Sequence, residues 1–439
     1  MTPEIEKKLK AIQAGKIPAG YRKTVVGIVP KEWEVVRLKN IAVHSTEKNK
    51  DNKFHLTLTN SASKGVIKQI DYFDKQISNN ENTDTYYIVN PGDFIYNPRI
   101  SESAPCGPIN RSHIDETGIA SPLYTVFRLT GNSTNEDFIE LYLKSSVWHR
   151  YMSGVANYGA RHDRMNITND DLFAMPILSP PLPEQRKIAE ILTAQDRVIA
   201  LKEKLVAEKR KQKKFLMNQL LSCENEKKIT INDIKIDKTK WIFKTIGDVC
   251  STFSGGTPNR SHSEYFNGSI PWIKSGELNK ENIYQTEEFL TQKGIENSST
   301  KIVKKGTLLI AMYGATAGIL AFTHIDAAIN QAILALVPKI EINLFYLKYA
   351  LENKIDIAVH KYVQGGQPNF NATIIESFKI EFPTLPEQQA IAEVLSAADR
   401  EISLLQQNLE QERQKKKSLM QLLLSGLVRV NAPEDSHEL

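Results

Sequence analysis

The chain has 439 residues, is 41% hydrophobic and 24% charged, and carries a net charge of +5 with a pI near 8.7. That is material for two or three ordinary globular domains, and the mild basicity admits an acidic partner such as nucleic acid without demanding one. No apolar run is long enough to span a membrane. The three scattered cysteines (Cys106, Cys223, Cys250) form neither a disulfide framework nor a metal site, and the first residues, MTPEIEKKLKAIQAGK, lack the apolar core of a secretory signal. The expected location is cytoplasmic.

Taken in order, residues 1–20 form an N-terminal segment with a short amphipathic helix around Glu4–Ala14. A first block, 21–180, opens on KEWEVVRLKNIA, with Trp33, Leu38 and Ile41, and closes on RMNITNDDLFAMPI. Its apolar runs YYIVNPGDFIYN and LYTVFRL, bounded by Gly, Pro and Asn, predict strands, whereas EDFIELYLKSSVWHRYM predicts a helix. Residues 181–224 predict one long helix. Pro183 stands where the first turn tolerates proline, Glu184 follows it, and no Pro or Gly intervenes before Leu221. A second block, 225–383, opens on TKWIFKTIGDVC (Trp241, Ile246, Val249), contains the strand-like GTLLIAMYG and AILALVP and the helical INLFYLKYALENKID, and closes on QPNFNATIIESFKI. A second long helix, 384–427, and a flexible tail, 428–439, complete the chain.

The two long helices spell nearly one phrase. LPEQRKIAEIL begins at Leu182 and LPEQQAIAEVL at Leu385, and a shift of 203 residues aligns them without a gap as far as Leu221 and Leu424. A repeat of that length means two similar domains, each followed by the same helix. Each helix has one apolar stripe at coiled-coil spacing: Ile191, Ala194, Val198, Leu201 and Leu205 in the first, Leu395, Ala398, Ile402, Leu405 and Leu409 in the second. A single stripe needs a partner, and the other copy is the nearest one. The basic runs at Lys209–Lys214 and Lys415–Lys417 suit a solvated helix C-terminus, and contact with DNA is the other reading. The block ends agree in the same register, Asn166 falling on Asn369 and Ile177 on Ile380, while the middles diverge. One fold with two different ligands, or two versions of one ligand, follows. The fold class is α+β: two mixed domains joined by two long antiparallel coiled-coil-like helices, with internal pseudo-twofold symmetry.

Signatures of catalysis are sparse. The nearest phrase to an adenine methyltransferase's NPPY is YNPRI, with Arg99 in place of the second proline. No GxxxxGK[ST] loop or HExxH spacing occurs, and FSGGTP has a Gly pair rather than a dinucleotide loop.

The paired LPEQ helices, each after a variable block, together with PKEW, FSGGTPNR, IPWIKSGEL and AMYGATAG, resemble the specificity subunit of a type I restriction–modification system. The second block opens on DKTKW without the proline, and the first lacks an SGGTP phrase. The resemblance implies that the blocks are target recognition domains, each reading half of a split site in double-stranded DNA. It implies that the helices space them and dock two modification (methyltransferase) subunits, alongside two restriction subunits. S-adenosylmethionine, ATP and Mg2+ would then reside on those partners, and this chain would bind no cofactor or metal and have no catalytic residue. Spacer and docking residues carried over are Glu184, Gln185, Ile188 and Ile191, with Glu387, Gln388, Ile391 and Leu395. Candidate DNA contacts are Asn97, Arg99, Tyr158, Arg161, His162 and Arg164 in the first block, and Thr257, Asn259, Arg260, Lys274, Tyr313, Gln367 and Asn369 in the second. Arg suits guanine and Asn or Gln adenine. Each also has a structural reading: Arg161 as a surface ion-pair partner, Tyr313 as half-buried core, Gly255, Gly256 and Pro258 as turn formers. A stand-alone methyltransferase or nuclease, and a coiled-coil adaptor that binds only proteins, are the rival functions.

Overall fold

Each block closes on itself through a short antiparallel ladder between its opening and closing strands. In the first, Glu34–Arg37 pairs with Pro176–Ser179, setting Val36 opposite Ile177; in the second, Ile242–Thr245 pairs with Lys379–Phe382, setting Lys244 opposite Ile380. Ile177 and Ile380 are both fully buried. The chain then turns straight into a long helix, Leu182–Leu221 or Leu385–Leu424. The computed structural model describes residues 3–72, 83–156, 163–223, 227–358, 363–364 and 367–431.

The chain divides into two compact units, 1–202 with 408–439, and 203–407. The first unit has an N-terminal helix, Pro3–Gln13, a hairpin Tyr21–Thr24/Gly27–Pro30, and two four-stranded sheets. One sheet runs Gly65–Lys68, Thr57–Ser61, Gly118–Ala120, Tyr87–Val89; the other runs Ala42–His44, Thr125–Leu129, Phe94–Tyr96, Ile109–Arg111. The second unit has a hairpin Lys228–Ile231/Ile234–Asp237 and two sheets with the same plan. Glu288–Leu290, Phe266–Ile273, Ala327–Ile329 and Lys301–Val303 form one. Cys250–Ser254, Ile333–Pro338, Leu308–Ala311 and Leu320–Thr323, with an added edge strand Asn282–Ile283, form the other. Thr57–Ser61 is parallel to Gly118–Ala120, as Phe266–Ile273 is to Ala327–Ile329, and the remaining matched pairs are antiparallel. Strand order, chain order and sense therefore repeat, and each unit is α+β.

Each unit's main core joins its block to parts of both helices. In the first, Trp33, Phe94 and Phe138 share a cluster with Ile188, Leu192, Leu423 and Leu424. In the second, Trp241, Tyr346 and Phe370 share one with Met217, Leu220, Ile391 and Leu395. Within the first unit the helix segments are antiparallel: Lys202 pairs with Glu412 (3.1 Å) and Asp196 with Lys416 (2.5 Å), so the numbering runs in opposite senses. Within the second, Lys209 meets Glu401 (2.7 Å) and Lys213 meets Asp399 (2.6 Å), again with opposed numbering. The second helix stops at Gly426, whose φ of +71° suits a helix C-terminus and whose absent side chain matters, because a Cβ there would come within 2.5 Å of Pro30. Among the described residues no helix is long and apolar enough to cross a membrane.

The seam of the first helix differs from the expected stripe by one residue. Leu192, Gln195 and Val206 are buried, with Ile199 and Lys202 partly so, whereas Val198, Leu201 and Leu205 are exposed, Leu201 to 66%. In the second helix Leu395, Ile402 and Leu409 turn inward as expected. These fall 203 positions after Leu192, Ile199 and Val206, so the repeat holds and the apolar pattern of the first helix misleads. Its inner positions include Gln195, Lys202, Lys209 and Lys213, whose long stems lie along the seam while their polar ends reach carboxylates of the other helix.

Candidate nucleic-acid interface

The eight helix residues inherited from the resemblance sit mostly inside the units. Gln185 Oε1 accepts from Asn135 N (2.9 Å) and its Nε2 donates to Pro180 O (2.8 Å); Gln388 does the same with Asn343 N (2.9 Å) and Pro383 O (2.9 Å). Asn135 and Asn343 in turn accept from Phe138 N and Tyr346 N at the starts of their helices. Glu184 takes a hydrogen bond from Trp33 Nε1 (3.0 Å) and two from Arg429 (2.7 and 2.8 Å). Glu387 accepts from Thr384 N (2.9 Å) and from Asp237 N (3.3 Å). Ile188, Ile391 and Leu395 are fully buried and Ile191 is half-buried. Their observed contacts fasten each helix start to the domain before it. A direct docking role is open only to what little surface they leave, chiefly at Ile191.

In the first unit, Asn97, Arg99 and Arg164 line one polar crevice of about 630 Å³. Its floor is the end of Thr57–Ser61, held by Asn60, whose Nδ2 donates to Ile95 O (2.6 Å) and Pro108 O (3.0 Å). Asn97 belongs to that scaffold: its Nδ2 donates to Asn60 O (3.0 Å) and its Oδ1 accepts from Arg99 N (3.0 Å). Gly107 is required beside it, since a Cβ would lie 2.2 Å from Asn97 O. Arg99 and Arg164 bridge each other's backbones, and among the described residues both pair only with Asp163, at 3.9 and 4.0 Å. Tyr158, Arg161 and His162 lie outside the described residues. Sequence reasoning missed Gln69, which lines this crevice and whose buried amide oxygen has no hydrogen-bond partner among the described residues.

The second unit places four polar residues at the corresponding strand ends. Thr257 hydrogen-bonds Gln331; the next residue, Ala332, accepts from Met312 N (2.8 Å); and Tyr313 bridges Asn369. Gln331 is exposed and was not singled out by sequence. Lys274 follows Ile273, which pairs with Ile329 as Leu58 pairs with Ala120, so Lys274 matches Thr59 of the first crevice. Lys274 and Arg260 both bind Glu288 (2.8 and 3.1 Å), and Arg260 also lies 5.2 and 5.5 Å from the rings of Phe266 and Trp272. The Glu288 hydrogen bond raises the Lys274 pKa, and Lys274 lowers that of Glu288. Asn259 shapes its own loop, accepting from Ser261 N (3.0 Å) and Oγ (2.9 Å). Gln367 lies on a two-residue strand, Gln367–Pro368, and its side chain is outside the described residues. Gly255 and Gly256 are needed for close approach: Cβ atoms there would meet Ile329 O at 1.8 Å and Ser299 Oγ at 2.3 Å.

Two like α+β units, each closed by its own ladder, fastened to a repeated long helix and bearing a polar rim of its own composition, define a duplicated recognition architecture. The chain belongs to the type I restriction modification DNA specificity domain family, whose model matches residues 30–209 and 238–412. It is similar to the Escherichia coli EcoR124I/EcoR124II specificity subunit, with 27% identity over 57% of this chain and 62% of that one. It is also similar to the putative MjaX specificity subunit of Methanocaldococcus jannaschii, with 27% identity over 93% and 97% of the two chains. A solved chain from a study of complex assembly and conformational transition of the type I restriction–modification system shares the fold, with a TM-score of 0.61 and 15% identity, over 91% of this chain and 99% of that one.

Proposed function

We propose that this chain is the sequence-reading subunit of a type I restriction–modification complex, acting in the cytoplasm and performing no chemistry itself. Each unit reads one half of a bipartite, asymmetric site in double-stranded DNA. The helices set the spacing between the halves and carry two modification subunits, which bind S-adenosylmethionine; two restriction subunits bring ATP and Mg2+. The observation that carries this reading is a fold repeated strand for strand whose rims differ, Arg99 and Arg164 in one unit against Tyr313 and Asn369 in the other. A reader of two different half-sites needs such constancy of frame with variation of contact, since phosphate and frame position a protein while side chains at the base edges specify sequence. Methylome sequencing of a host with and without this chain tests it. Loss of methylation at one bipartite motif is expected, and an unchanged methylome would overturn the reading.

A further inference from the structure

Resting on that function, we infer that one corresponding position in each unit selects the base: Arg164, backed by Arg99, selects guanine in the first half-site, and Asn369, beside Tyr313, selects adenine in the second. The correspondence comes from the backbone. Arg99 forms an isolated antiparallel bridge with Arg164, and Met165 N donates to Pro98 O (3.0 Å). Tyr313 forms the same bridge with Asn369, and Phe370 N donates to Met312 O (2.8 Å). Both bridges lie just past the matched strands Phe94–Tyr96 and Leu308–Ala311. Directly after the bridges, Met165 and Phe370 are both buried. The frame is the same, and the residues presented on it are not.

Chemistry then separates the two. Arg99 and Arg164 stand off their shared carboxylate at the outer limit of an ion pair, unlike Arg128, which holds Asp93 at 2.7 Å, or Arg429, which holds Glu184 at 2.7 Å. Arg99's side chain is 68% exposed. A guanidinium fork so placed matches the two acceptors, O6 and N7, of guanine in the major groove. In the second unit the nearby cations Arg260 and Lys274 are engaged by Glu288, and the position matching Arg164 is the exposed Asn369, an amide whose donor and acceptor match adenine N7 and N6.

The test is selection from a randomised duplex DNA pool by the full chain assembled with its modification subunit. Wild type should enrich a bipartite motif with guanine fixed in one half and adenine in the other. Arg164→Asn should lower the guanine preference at one position by about tenfold or more, leaving the second half unchanged. Arg164→Lys keeps the charge but loses the fork, and should lose the guanine preference too. Asn369→Ala should relax the adenine position alone. If Arg164→Lys keeps the guanine, or Arg164→Asn weakens binding equally to all sequences, the side chain contacts phosphate and the inference is overturned. A wild-type pool without any enriched motif would instead overturn the proposed function on which it rests.

Discussion

Gln185 and Gln388 make the same two backbone bonds, each amide joining the carbonyl five residues before it to the N–H of an asparagine at the start of a domain helix. Both side chains are buried, with residue exposures of 1%. The long helix is thereby fixed to its domain at two points. Replacing either by Ala strands a buried N–H and leaves a carbonyl without its donor, which costs about 1–3 kcal/mol per group left unpaired. Gln185→Ala and Gln388→Ala should each destabilise the chain in urea unfolding. Their effects should add, because they lie in separate units and share no partner.

The segment after the second helix closes the first unit. Arg429 binds Glu184, whose side chain is only 4% exposed, and Glu32, while Tyr21 OH donates to Gly426 O (2.8 Å). Removing Arg429 leaves a buried carboxylate with Trp33 Nε1 as its remaining partner. Breaking a buried pair on one side typically costs about 3–5 kcal/mol. Arg429→Ala should approach that loss in urea unfolding, and Glu184→Gln with Arg429→Ala together should recover part of it.

Glu140 gives the first unit a pH dependence. Burial pushes its carboxyl upward, but hydrogen bonds from Lys144 (2.6 Å) and His113 (2.9 Å) outweigh this and hold it below its ordinary value of 4.5. A folded pKa below the unfolded one means that folding favours the ionised form. That stabilisation is complete above the unfolded value and is lost as pH falls through the folded value. The stability advantage of wild type over Glu140→Gln should therefore be constant near neutrality and shrink below about pH 4.5. Unfolding curves showing an advantage that grows on acidification would contradict this.

The one-residue shift in the first helix is directly testable. Leu201 is 66% exposed and Val206 is 7% exposed. Leu201→Glu should change stability by no more than about 0.5 kcal/mol, and Val206→Glu should cost about 2–3 kcal/mol. The reverse order in thermal unfolding would restore the stripe read from sequence.

Much of this was legible before the fold. The LPEQ phrases disclosed the duplication because they fasten each helix in the same way, and identical bonds demand identical residues. The first seam was not, because Lys202, Lys209 and Lys213 occupy inner positions that a count of apolar residues skips, while exposed Leu201 and Leu205 imitate a stripe. The ungapped register also hid the matching rim. It sets Asn166 against Asn369, whereas the bridges set Arg164 against Asn369. The first block carries two more residues before the capping positions Thr168 and Asn371, and only backbone pairing exposes that offset. Arg260 and Lys274 are both candidate DNA contacts by sequence, which does not show that Glu288 holds the two of them.

The central claim, one half-site per domain, is tested most directly by exchanging residues 21–180 for the equivalent block of a relative with a different motif and sequencing the host's methylome. The account predicts that one half of the methylated motif changes to the relative's, while the other half and the gap between them stay as they were. A motif altered in both halves would contradict it.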